Sequence, residues 1–272
     1  MRVVLVSQVP PATHGLTALL RELGHEPVAL LSTRQVTDRY GGDLARQVLG
    51  APDELDVLLP SSRERIAPLL RTYEPDLVLC LGFPWKIPAD ALAVPRLGAV
   101  NGHPGLLPRY RGPTPVAWAI RRGETEIGFT FHRMDAELDT GPVLAQGAVP
   151  LADEHTFEEL EPKFVELVSG LLARALERVE HGDPGDAQAE AEAEYLTFFE
   201  PEYAWIDTAR SRDDVYRQVR AWRFHQVRDP YGALLERDGQ TVRVLRVSRE
   251  PAEGATIECP DGTLWVVEQE EA

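Results

Sequence analysis

The chain is 272 residues long, which leaves room for one large domain and a small one. A hydrophobic share of 43% and a charged share of 26% are those of a globular chain, and they exclude a disordered or fibrous class. The formal net charge is −16, of which residues 182–272 contribute −10, so nonspecific affinity for nucleic acid is not expected.

Residues 2–7 (RVVLVS) are too few for a signal segment or a membrane span, and they alternate too little for a half-exposed strand. They predict a central parallel strand. Residues 8–15 hold two prolines and no GxGxxG pattern, and predict a loop without a dinucleotide site. Leu16, Leu19, Leu20 and Leu23 mark one face of a helix that Gly24 ends. Residues 28–31 read as the second strand. The stretch 34–50 is polar, with a short helix expected at its end. Residues 56–59, 62–73 and 76–81 then read as strand, helix and strand. Strand and helix repeating at this spacing predict an α/β fold with a Rossmann-like, doubly wound sheet. Cys80, inside one of these apolar strands, and Cys259 are the only cysteines, which fits a reducing cytoplasm rather than a disulfide framework.

A short apolar run, 97–100, predicts another buried strand, with Asn101, Gly102 and His103 where it ends. A Gly/Pro-rich loop follows, then a helix from 113–115, a strand over 127–132 and a loop over 135–141. Loops at the carboxyl ends of strands form the ligand crevice of an open α/β sheet, so Asn101, His103 and Asp139 are candidates to converge there. Taken singly, each is an ordinary turn or loop residue. Residues 155–180 place leucines and phenylalanines at helical spacing and should close the large domain. The acidic stretch 181–194 has linker composition. From Tyr195 a small β-rich or α+β domain is expected. Val215, Val219 and Trp222 lie on one helical face, strands are expected at 233–235, 242–247 and 264–267, and turns at 238–239 and 261–262. The expected division is therefore 1–181, a linker 182–194, and 195–272.

The pattern N-x-H-P-x-L-L-P-R-Y-R-G at 101–112, followed by L-D-T-G at 138–141, resembles the folate-dependent formyltransferase family. That family includes methionyl-tRNA formyltransferases, nucleotide-sugar N-formyltransferases and formyltetrahydrofolate hydrolases. The likeness is dense from 77 to 151 and continuous on both sides. It implies the formyltransferase fold, 10-formyltetrahydrofolate as formyl donor, no metal, and Asn101, His103 and Asp139 as the catalytic residues. It also implies a folate pocket built from Gly82, Phe83, Pro84 and Ile87, from Gly105, Leu106, Leu107 and Pro108, and from Leu138. Gly105 departs from the family's usual serine, which removes a hydroxyl contact.

Formyl transfer needs a neutral amine, donors aimed at the oxyanion and a proton for the leaving nitrogen. Asn101 offers an amide N–H and His103 an imidazolium N–H. Asp139 should favour the charged imidazole and order a proton-relaying water. His132 reads as a satisfied core histidine. Arg109 and Arg111 read equally as anion ligands or as solvated surface groups.

The expected activity is transfer of the formyl group to a small-molecule amine, either a nucleotide-linked amino sugar or an amino-acid-derived amine. Methionyl-tRNA formylation and hydrolysis to formate are the alternatives. The tRNA-formylating relatives carry a basic insertion after the second strand. Here 32–60 offers only Arg34, Arg39 and Arg46 against Asp38, Asp43, Asp53, Glu54 and Asp56. No nucleic-acid or membrane partner is therefore expected, and the location expected is cytoplasmic. The oligomeric state stays open, a dimer included. Six arginines between Arg210 and Arg228 fit either a single diphosphate or the wet face of a helix.

Overall fold

The structure, a computed structural model, describes residues 1–8, 10–34, 48–152, 157–225, 232–237 and 239–272. The chain forms two compact units, one of residues 1–111 and 128–194, the other of 112–127 and 195–272. Helix α4 (Pro115–Arg122) thus groups with the C-terminal residues, and the segment 182–194, expected as a linker, belongs to the first unit.

In the first unit the described strands are β1 (Arg2–Ser7), β2 (Glu26–Leu31), β3 (Asp56–Leu58), β4 (Leu77–Leu81), β5 (Ala99–His103), β6 (Glu126–Arg133) and β7 (Val143–Pro150). They lie in the order β3-β2-β1-β4-β5-β6-β7, parallel from β3 through β5 and antiparallel at β5–β6. Helices α1 (Pro10–Glu22), α2 (Ile66–Arg71), α3 (Ala89–Leu92) and α5 (Phe157–Glu180) complete the unit. The expected Rossmann-like α/β class is borne out, because nearly continuous apolar strands can be buried only by helices on both faces.

Period-two alternation sorts the strand side chains into two cores. Val3, Leu5, Leu77, Leu79, Val100, Phe129 and Phe131 pack with Leu20 of α1 and with Leu172, Ala175 and Leu176 of α5. Val4, Val6, Ala29, Leu31, Val78, Cys80 and Ala99 pack with Ile66 and Leu70 of α2 and Ala91 of α3. Each Val, Leu, Ile or Phe side chain among them, fully buried, contributes roughly 1.5–3 kcal/mol.

Three sequence expectations are corrected. Helix α1 starts at Pro10, inside the stretch read as a loop, because a first-turn proline lacks only an N–H that has no partner there anyway. Strand β5 runs on through Asn101 to His103 instead of ending at Val100. Strand β7 was missed, since Gln146, Gly147 and Pro150 break its apolar pattern, and it is the last strand in the sheet order. The expectation for 34–50 falls largely on residues outside those described.

The second unit holds a four-stranded antiparallel sheet of described strands in the order β10-β11-β9-β8, made of β8 (Ala233–Arg237), β9 (Gln240–Ser248), β10 (Thr256–Cys259) and β11 (Gly262–Glu271). Helix α6 (Arg212–His225) buries Val215, Val219 and Trp222 as its spacing predicts. Trp222 Nε1 donates to the Tyr203 carbonyl at 2.9 Å, and Phe199 stacks on His225 at 4.5 Å. A small β-rich unit with helical cover matches the expectation.

Phe131 is fully buried, with its ring 5.1 Å from that of Phe129. Phe131→Ala should lower the unfolding free energy by about 3–5 kcal/mol, read from the urea midpoint. A loss under about 1 kcal/mol would contradict this core assignment.

Candidate active site

The site begins with the alternation of β5. Asn101 lies opposite Cys80 on β4 and His132 on β6, and His103 lies opposite Thr130. Side chains directly opposite one another share a face, so Asn101, His103, Thr130 and His132 stand together where the apolar face of the sheet ends. Gly102 points to the other face, where a Cβ would come within 2.9 Å of the Phe129 ring.

His103 is buried, and its Nε2 lies 2.8 Å from the Tyr110 carbonyl. A carbonyl only accepts, so Nε2 carries the proton and Nδ1 presents its lone pair when the ring is neutral. Nδ1 faces Asp139 Oδ1 at 3.6 Å. The same logic applies to His132. Its Nδ1 donates to the Arg133 carbonyl at 2.8 Å, which leaves Nε2 to accept from Asn101 Nδ2 at 3.2 Å. His132 Nε2 is also 3.7 Å from Asp139 Oδ1. Both approaches to Asp139 are longer than a hydrogen bond. Tyr110 and Asp139 each adopt φ 60, a left-handed conformation that is uncommon for residues other than glycine.

Electrostatics correct one expectation. Burial pushes the His103 pKa below its ordinary 6.5. The Asp139 carboxylate and the Tyr110 carbonyl pull it back up without overcoming that burial, and His132 lowers it further. Asp139 therefore does not make His103 an imidazolium at rest near pH 7. Burial first, and then Asp139, push the Cys80 thiol up to about 12, so it stays protonated. The His103 Nδ1 lone pair and the Asp139 carboxylate oxygen then face each other at 3.6 Å with no proton between them. Such a cluster can take a proton from an incoming N–H, and the imidazolium so formed would sit against Asp139.

The loops expected to hold folate are tied to one another and to the sheet. Lys86 Nζ meets Glu137 Oε2 at 3.2 Å, joining the loop 82–87 to the loop 135–141. Leu138 is 43% exposed beside them. Phe83 and Trp85 meet edge to face at 5.8 Å, whereas Ile87 and Leu107 are buried in packing. Thr130 Oγ1 donates to the Gly105 carbonyl at 2.6 Å and accepts from Leu107 N at 3.3 Å, and Gln146 Nε2 donates to the Leu107 carbonyl at 2.8 Å. The backbone of 105 and 107 is thus tied to β6 and β7. Arg109 lies over the Tyr110 ring at 5.5 Å. Arg111, for which an anion-binding or a solvated role was expected, is instead buried and paired with Gln188 and Glu190. Among the described residues no group of His, Cys, Asp or Glu is arranged to hold a metal ion.

His132 is the satisfied core histidine expected, buried with both ring nitrogens in hydrogen bonds, whereas Thr130, Gln146 and Gln188 were missed. Thr130 and His132 carried a signal, since both are polar residues at alternate positions of an apolar strand. Gln188 carried none, because it lies in a low-complexity acidic stretch.

A ring NMR titration of His103 should have its midpoint below 6.5. The sign for stability follows from that lowered value. Below about 6.5 the unfolded chain binds a proton that folded His103 refuses, so stability should fall on acidification from there down to the folded midpoint. His103→Gln should remove that component of the pH dependence. A titration midpoint above 6.5 would overturn the neutral assignment.

Comparison with known proteins places these features in a family. A family profile described as formyl transferase matches residues 25–176. A methionyl-tRNA formyltransferase of Deinococcus radiodurans is 35% identical over 209 residues, covering 72% of this chain and 64% of that protein, which is under two thirds of its length. Among solved structures, HypX from Aquifex aeolicus in complex with tetrahydrofolic acid has a TM-score of 0.73 at 22% identity, covering 100% of this chain and 44% of that one. A sugar N-formyltransferase from Shewanella sp has a TM-score of 0.69 at 21% identity, covering 93% of this chain and 99% of that one. With its strand order, its loop motifs and a profile match over more than half its length, the chain belongs to the formyl transferase family.

Proposed function

We propose that this chain is an N-formyltransferase that moves a formyl group from 10-formyltetrahydrofolate to the amine of a small molecule, either a nucleotide-linked amino sugar or an amino-acid-derived amine. The observation that carries this reading is the convergence of His103 Nδ1, His132 Nε2 and Asp139 Oδ1 beside the Asn101 amide. The first unit is the catalytic one in this reading, and residues 195–272 form the accessory domain.

The donor supplies an activated formyl carbon. The loops 82–87 and 105–108, with Leu138, are the groups to hold it. Their fit rests on the Lys86–Glu137 link between the loop 82–87 and the loop 135–141 that carries Leu138, and on the exposed apolar side chain of Leu138, which a flat heterocycle would cover. The side chains of Ile87 and Leu107 lie in the core, so their part in that pocket is to shape the loops. The residues then divide the work. Asn101 presents its amide N–H to negative charge developing on the formyl oxygen. His103 Nδ1, backed by Asp139, takes the proton shed by the attacking amine, and the resulting imidazolium can hand it to the leaving nitrogen. His132 Nε2 holds Asn101 in register. Removing one such donor from an acyl-transfer site typically lowers turnover about 10²–10³-fold.

For a small acceptor there is support in the net charge of −10 over residues 182–272 and in the sugar N-formyltransferase among the structural neighbours. Arg210 and Arg217, part of the arginine cluster, are paired with Asp214 at 3.6 and 2.8 Å, which leaves less free positive charge for a polyanion. Arg228 lies outside the described residues. Methionyl-tRNA is the second reading, favoured by the name of the Deinococcus relative. Hydrolysis to formate, with water in place of the amine, is the third.

Incubation with 10-formyltetrahydrofolate and, in turn, amino-sugar nucleotides, amino-acid-derived amines and methionyl-tRNA separates these readings. Formylation of a small amine is expected. Efficient formylation of methionyl-tRNA at low salt would overturn the acceptor assignment, and formate release without any acceptor would support the hydrolase. His103→Ala and Asp139→Asn should each reduce turnover about 10²–10⁴-fold, the range for loss of a general base. Unchanged turnover in both would remove the cluster from the mechanism.

A further inference from the structure

We infer that Gln188, oriented by the buried Arg111, is a positioning residue that sets Asp139 against His103. This rests on the catalytic reading of the cluster given above. Gln188 Nε2 donates to the backbone carbonyls of Asp139 at 2.9 Å and Gly141 at 2.8 Å. Its Oε1 accepts from Arg111 Nη2 at 2.8 Å and Nε at 3.1 Å. Chemistry fixes the orientation of this amide. Carbonyls only accept and a guanidinium only donates, so a flipped amide would set donor against donor and acceptor against acceptor.

Arg111 is held in turn. It is buried, its Nη2 and Nη1 reach Glu190 at 2.7 and 3.2 Å, and its backbone N–H donates to the Glu194 carbonyl at 3.0 Å. Glu190 is correspondingly held below the usual carboxylate range by the hydrogen bond from Arg111. The residue before Arg111 is Tyr110, whose carbonyl fixes His103. One short run of chain therefore anchors His103 through Tyr110 and Asp139 through Arg111 and Gln188.

The loop carrying Asp139 needs such a hold. Its first turn is closed by Asp135 Oδ1, which accepts from Glu137 N at 3.0 Å and Thr140 Oγ1 at 2.6 Å. At its far end Gly141 passes so close to the Arg133 carbonyl that a Cβ there would collide with it. Between these points Asp139 sits at φ 60, a conformation that persists only where the surroundings over-determine it. Gln188 supplies two of the constraints. It touches no reacting atom, and it comes from the stretch whose composition reads as a linker.

The test uses the full chain with isotope-labelled histidine. The groups facing the His103 ring are Asp139 from its loop, His132 from β6 and the Tyr110 carbonyl, with the Cys80 thiol of β4 coupled to Asp139. Of these, Asp139 is the charge that supports the imidazolium. Gln188→Met keeps size and neutrality but lacks the two donors. It should lower the His103 titration midpoint in the same direction as Asp139→Asn, and reduce turnover of 10-formyltetrahydrofolate about 10- to 100-fold. Gln188→Asn, one methylene shorter, should do the same if the Met variant folds poorly.

A role confined to tying down the 182–194 segment predicts otherwise. The melting temperature would drop while the His103 titration stayed in place. An unmoved His103 midpoint in Gln188→Met or Gln188→Asn, with a clear shift in Asp139→Asn, would overturn the inference alone. If Asp139→Asn left both the titration and the turnover unchanged, the catalytic reading beneath it would fall as well.

Discussion

The bond from His103 Nε2–H to the Tyr110 carbonyl is the constraint to which the rest of the site conforms. A buried ring N–H left without a partner costs about 1–3 kcal/mol, so a buried imidazole must bring an acceptor with it. Here that acceptor is a backbone oxygen presented by a residue at φ 60, a conformation that itself costs of order 1–3 kcal/mol. With Nε2 committed, Nδ1 is the only ring atom left for chemistry, and it points at Asp139. His132 repeats the device with its ring nitrogens exchanged, Nδ1 on a carbonyl and Nε2 toward the cluster. The tautomer chosen by the Tyr110 carbonyl thus defines where a proton can be received, and that of His132 leaves Nε2 to accept from Asn101.

Burial and charge pull against each other at that point. The low-dielectric surroundings that fix the tautomers also disfavour an imidazolium, and the nearby carboxylate only partly offsets this. A resting site with a neutral His103 ring is ready to accept a proton rather than to donate one. That order suits chemistry in which an amine must lose a proton before the leaving nitrogen gains it. Cys80, directly opposite Asn101 in the sheet, is kept out of this exchange by the same burial, which holds it as a thiol.

The scaffold explains why such a polar cluster can be buried at all. The two apolar cores on either face of the first unit hold the strands in register, and at the end of β5 the face that carries Cys80 becomes polar. His103, Thr130 and His132 there each make a hydrogen bond to a backbone carbonyl, which offsets part of their desolvation. Segment 182–194 takes part as well. Asp186 exchanges backbone hydrogen bonds with Val143 at 2.8 Å, Arg178 binds both Asp183 and Asp186, and Gln188 reaches the Asp139 loop. Acidic residues that would repel one another in a free linker are matched here by arginines.

The sequence by itself determined the alternating strands and helices, hence the α/β class, because hydrophobic periodicity is a local property that side chains carry wherever the strand ends up. It also determined the family and the positions of Asn101, His103 and Asp139, since two motifs in fixed order identify them. Only the tertiary structure decided the rest. The extension of β5 through His103 depends on pairing with β6, in which Asn101 meets His132 and His103 meets Thr130. The neutral state of His103 depends on how much water the surrounding fold excludes, which no local pattern encodes. Gln188 and Arg111 meet across 77 residues of sequence, and a contact of that range leaves no trace in the composition of either segment. A stretch that is linker-like in every local respect becomes a wall of the first unit because its few polar side chains match carbonyls and guanidinium groups that only the folded sheet brings into reach.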